Sequence, residues 1–225
     1  MHKKICKWTF RSVCLAALLA SSACGTQPPG PTAVPAPAAP VLQASQSAHR
    51  IVAGDSLVTI TVRRGGPLAR MGHDHVVATR QLDGFIDLEQ GRTELRFRLD
   101  QLTVDEAALR EEAGLETQPS VDAIDGTRRN MFSKVLQAQA YPWVLVQAAF
   151  EPGRKDMLRA AITLHGVTHE YQVPLQLRAD GASVLASGAF VARQTDFGIT
   201  PFAVFGGALA VKDELELRFA ISARR

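Results

Sequence analysis

Hydrophobic and polar residues alternate with period two over most of the chain beyond residue 49. In Thr93–Asp100, Leu95, Phe97 and Leu99 fall on one face and Arg96 and Arg98 on the other. Glu170–Arg178 repeats the pattern with Tyr171, Val173, Leu175 and Leu177, and Glu214–Ser222 with Leu215, Leu217, Phe219 and Ile221. Ser56–Val62, Met157–Leu164 and Val184–Ala192 are further strands on the same grounds. Such alternation belongs to antiparallel strands with one face buried. Gly91, "PGRKD" and "ADGA" supply the turns between them.

One interval breaks the rhythm. Asp105–Gly114 reads as a short helix stopped by its glycine. Residues 121–140 read as a second helix, interrupted near Gly126 and ending before Tyr141-Pro142. The predicted fold class is therefore mainly β, an antiparallel barrel with a helical insert, because closure removes exposed strand edges. A two-sheet sandwich fits the same period.

The chain has 225 residues, and only the stretch 49–225 carries this pattern. Residues 1–23 read as an export signal. Lys3, Lys4, Lys7 and Arg11 precede a short apolar run, Val13–Ala20, which is too short for a permanent span. The site before Cys24 resembles a bacterial lipobox, with Ser21 where leucine usually stands, so Cys24 is the expected lipid anchor. Ser21-Ser22-Ala23 also fits ordinary cleavage. Residues 24–48 are rich in proline and alanine and read as an extended linker, about 3.1 Å per residue. A periplasmic, membrane-anchored domain is the expected address.

Composition narrows the chemistry. All three cysteines lie in or beside the signal, so the folded part has no disulfide, thiolate metal cluster or thiol nucleophile. Without the signal's four basic residues the formal charge falls from +3 to −1, which gives no electrostatic case for nucleic acid as a partner. Phosphate-binding and dinucleotide-binding glycine motifs are absent from the sequence, and no serine stands in a nucleophile elbow. A non-enzymatic protein without a cofactor is the expectation; protein partners stay undefined.

Five segments then point one way. "LHGVTHEYQVPL" (164–175), "TDFGIT" (195–200), "AYPWVLVQA" (140–148), "DSLVTITV" (55–62) and "LDGFIDLE" (82–89) resemble, in order, segments of the YceI-like family of bacterial periplasmic proteins. The insert departs from that family's acidic pattern, and the element Gly72-His73-Asp74-His75 is not usual there, so the chain resembles a divergent member. The resemblance implies a lipocalin-like barrel holding a polyisoprenoid-type lipid.

The physics of such a ligand shifts attention to the mouth. Burying a CH₂ gains about 0.8 kcal/mol over water, but the competitor for a lipid tail is the bilayer, which is equally apolar. Preference must come from the polar rim. Phe97, Phe150, Phe190 and Phe219 are the candidate cavity residues, among small Ala148, Ala160, Ala186, Gly188 and Ala192. A packed core of interdigitated Ala and Phe is the competing expectation. His73 and His75 are the candidate mouth residues, placed to hydrogen-bond a carbonyl or, when protonated, a phosphate. His73, Asp74 and His75 as metal ligands are the alternative, with His165 and His169 as distant potential additions. An interaction module with a solid barrel is the third.

Overall fold

The computed structural model describes residues 37–115 and 117–225. The signal and Cys24 lie outside the described residues. The strands are β1 (His49–Ile51), β2 (Leu57–Gly65), β3 (His75–Thr79), β4 (Asp83–Asp87), β5 (Arg92–Arg98), β6 (Thr103–Val104), β7 (Trp143–Phe150), β8 (Met157–Leu164), β9 (Val167–Pro174), β10 (Gln176–Ala179), β11 (Ser183–Arg193), β12 (Ala203–Val204) and β13 (Leu209–Arg224). The insert holds helices α1 (Ala107–Glu112) and α2 (Val121–Asn130). Among the described residues no helix is long and apolar enough to cross a membrane.

All strand pairs are antiparallel and belong to one sheet, as the alternation predicts. The 16-residue β13 is its spine. One edge of β13 pairs with β2 along Ala210–Ala220 and with β1 at Ala223 and Arg224; the other pairs with β11 along Glu214–Arg224. From β1 the sheet continues through β4, β5, β7 and β8 to β9, then curls back toward β11. The result is a lipocalin-like barrel whose last seam is closed by side chains. No ladder joins β9 to β11 among the described residues. A Cβ on Gly188 would stand 2.2 Å from the Pro174 carbonyl, so only glycine lets the two strands meet. The Tyr171 and Phe190 rings span the same seam, 5.5 Å apart.

Three local details differ from the periodicity. The segment expected as one strand over 170–178 breaks at Leu175, whose N–H turns to the Asp156 carbonyl. Pro174 ends the ladder there because it carries no N–H. Helix α2 runs through Gly126 unbroken, and the irregularity comes later, as a π-turn over Met131–Val135. Residues 37–48, expected as free linker, are laid along the outside of the sheet. The Trp143 indole N–H donates to the Pro37 carbonyl at 3.2 Å, Arg96 to Pro40, and Arg92 to Gln43 at 2.5 Å. Ser45 donates to Asp87 at 2.6 Å.

Helix α1 packs Leu109 against Val76 and Ala78 on the outer face of β3. The stop at its end is as expected, with Gly114 left-handed at φ +65°. Helix α2 and its π-turn cross one end of the barrel.

Candidate functional site

The barrel interior divides into two halves. At one end Ala148, Ala160 and Val173 pack against Leu158, Tyr171, Phe190 and Phe219. A Cβ on Gly188 would sit 2.7 Å from the Phe219 ring, so the small residues here make room for aromatics. This half is solid, in line with the interdigitated packing weighed from the sequence.

The other half is hollow. A cavity of about 290 Å³ opens at the end crossed by α2. Its walls include Ile60 and Val62 of β2, Phe97 of β5, Val144 of β7, Ile162 and Leu164 of β8, and Leu215 and Leu217 of β13. Thr127, Asn130, Met131, Val135 and Leu136 of the insert roof it, Phe197 and Phe202 come from the segment between β11 and β12, and Leu209 opens β13. Of the four phenylalanines named from sequence, Phe97 lines this space. Phe190 and Phe219 sit in the solid half, and Phe150 packs against the main core without reaching the cavity.

His73 and His75 both line the cavity, with His73 exposed at the rim and His75 deeper. Their rings meet edge to face at 6.3 Å. Asp74, just before the start of β3, is turned toward β2 instead. Its carboxylate accepts the Arg64 backbone N–H at 2.8 Å and lies 3.4 Å from the Arg63 guanidinium. No cluster of three potential metal ligands exists among the described residues. The metal alternative gains no support from this arrangement: the Asp74 carboxylate is engaged by Arg63 and Arg64 and is not gathered with the two imidazoles. His165 stacks on Tyr141 at 4.4 Å in the β8–β9 turn, and His169 lies 3.8 Å from Asp196.

Two residues that sequence reasoning did not single out complete the site. Asp105 follows the short β6, which pairs with β3, and sits opposite Val76. It adopts a left-handed φ of +56°, a conformation Asp tolerates better than most residues. Its Oδ2 is 2.6 Å from His75 Nδ1, and its Oδ1 accepts from the Val76 N–H at 3.0 Å and from Arg110 at 2.6 Å. Arg110 also donates to the carbonyls of Asp74 and Thr117. The side chains of Arg110 and Asp105 are 1 % and 0 % exposed. Burial pushes the Asp105 carboxyl up, but the hydrogen bonds from His75, Val76 and Arg110 outweigh it and hold the group below its ordinary value. A buried ion pair gives little net stability once desolvation is counted. Here the pair fixes the orientation of His75.

At the seam, burial together with the Asp196 carboxylate, 2.8 Å from its hydroxyl, pushes the Tyr171 phenol far above its ordinary value. The residue is a neutral strut.

No curated protein matches the sequence. In fold, the chain is similar to a polyisoprenoid-binding domain from Saccharophagus degradans, at 12 % identity and a TM-score of 0.54, covering 78 % of this chain and 97 % of that one. It is likewise similar to BcnA of Burkholderia cenocepacia, at 14 % identity and a TM-score of 0.56, covering 77 % and 99 %. The family model of the YceI-like domain matches residues 69–223. With barrel, insert and sequence in agreement, this chain belongs to the YceI-like family.

Proposed function

We propose that the protein is a non-enzymatic binding protein of the bacterial envelope. It holds an isoprenoid-like or other amphiphilic lipid, as carrier or sequestering protein. The tail occupies the hollow half of the barrel and the head meets His73 and His75. Cys24 supplies a membrane anchor, and the docked segment from residue 37 links it to the barrel.

One observation carries this: a cavity of about 290 Å³ lined mostly by aliphatic and aromatic side chains, with a few polar groups, among them His73 at the rim and His75 deeper. That volume lies near the lower bound of small-molecule pockets, roughly 300–1,000 Å³. It suits a short apolar tail or the head-proximal part of a long one. The printed description of the Saccharophagus degradans domain as polyisoprenoid-binding supports the same ligand class.

Native mass spectrometry of the full chain purified from membranes, followed by organic extraction, tests it. A lipid adduct that disappears on extraction is the expected result. Repeated isolation of the bare chain under conditions that preserve lipid adducts would overturn the proposal. The intact mass of the mature N-terminus checks the anchor at Cys24.

A further inference from the structure

A neutral imidazole has one donor and one acceptor nitrogen, and the neighbour that takes its N–H decides which is which. For His75 that neighbour is Asp105. Every group around the Asp105 carboxylate is a donor: the Val76 N–H, Arg110, and the His75 ring at 2.6 Å. The carboxylate is an acceptor only, so the proton of the ring sits on Nδ1. Arg110 already supplies the countercharge to Asp105, at 2.6 Å and out of solvent. The cavity that the ring lines is mostly apolar, and Arg64 lines it too. Besides Arg64, the titratable group facing the ring is His73, while Asp74 is engaged with Arg63 and Arg64.

Nε2 is then a lone-pair acceptor. It has no hydrogen-bond partner among the described residues, and it lies on the ring edge away from Asp105. Its ring lines a cavity walled by Val62, Val77 and Phe97. An acceptor in such surroundings penalises any occupant that displaces water without offering a donor.

Building on the lipid-cavity proposal, we infer that the Asp105–His75 pair selects an apolar chain that ends in a hydroxyl donor. An isoprenoid alcohol or a reduced, phenolic ring head meets this requirement. The same chain ending in an ether, ester or quinone carbonyl does not. A site built to pair one polar group rejects the analogue lacking it far more strongly than an apolar wall rejects a methylene.

The test is a pair of titrations with farnesol and farnesyl methyl ether, which share a chain and differ in the donor. A prenylated hydroquinone and its quinone form a second pair, which separates alcohol from phenolic heads. The wild-type chain is expected to bind the hydroxyl member of at least one pair about tenfold or more tightly than its partner. Asp105→Asn keeps an oxygen for Val76 and Arg110 but turns an amide donor toward Nδ1. That moves the ring proton to Nε2, so the preference should invert in favour of the ether or quinone. His75→Phe keeps a ring in place, removes the donor to Asp105 while leaving it the Val76 N–H and Arg110, and should bind both members equally. Equal wild-type affinity within both pairs, or a preference that survives in His75→Phe, would overturn the inference and leave the lipid cavity intact. If neither member of either pair binds, the lipid-cavity proposal itself fails.

Discussion

The two ends of this barrel use similar residues for opposite purposes. At the solid end small residues cluster with rings: Ala148 and Ala160 pack with Tyr171, Phe190 and Phe219, and Gly188 lets β9 and Phe219 approach. At the hollow end the inward strand residues are mostly mid-sized aliphatics, Ile60, Val62, Ile162 and Leu217, with Phe97 among them, and they leave a cavity between them. Helix α2 roofs the space, and α2 itself buries no residue fully. A barrel of this size is thus neither a pore nor a core by default. The choice is made layer by layer, by whether small residues let inward rings pack closely against one another's strands.

That contrast can be broken by substitution. The largest effect is expected from Phe219→Ala, which removes a ring from the packed half. It should cost roughly 3–5 kcal/mol in denaturant unfolding. Ile162→Phe, in the hollow half, gains a ring where space exists. It should shift stability by less than about 1.5 kcal/mol while lowering lipid capacity at least several-fold in a binding titration. Equal costs at the two sites would show that the halves do not differ.

Acid sharpens the comparison at the mouth. The Asp105 carboxyl is held below its ordinary value of 3.8 in the folded chain. A depressed carboxyl contributes stability that is complete above its unfolded value and is lost as pH falls through the folded one. Unfolding monitored below about pH 4 should therefore show an acid-sensitive component that Asp105→Asn flattens. The smallest effect belongs to the outer strap. Arg96 reaches Asp83 at 2.6 Å and the Pro40 carbonyl from the surface, so Arg96→Ala should cost at most about 1 kcal/mol. The change should register chiefly in the fluorescence of Trp143, over which Arg96 lies at 5.6 Å.

Much of the fold was legible because period-two alternation survives along β2, β5, β8, β11 and β13. That His73 and His75 share a face was legible as well from their i, i+2 spacing in extended chain, although only His75 belongs to β3. The division into solid and hollow halves was not. It depends on register, which sets Phe219 beside Gly188 rather than beside another aromatic. Asp105 and Arg110 were missed for a different reason. In "VDEAALR" they look like the charged start and exposed face of a short helix. Only the pairing of β6 with β3 carries Asp105 to His75, thirty positions away in sequence. The family resemblance placed the insert in order but could not supply this pairing, since the GHDH element is itself a departure.

The central claim is that the roofed half of the barrel is an occupied lipid site. Its most direct measurement is a farnesol titration of the folded full chain beside Ile162→Phe, followed by displacement of a bound fluorescent probe. The account predicts saturable binding at one site per chain in the wild type and its loss in a variant of nearly unchanged stability. Saturable binding of the same strength in both would place the ligand elsewhere and contradict it.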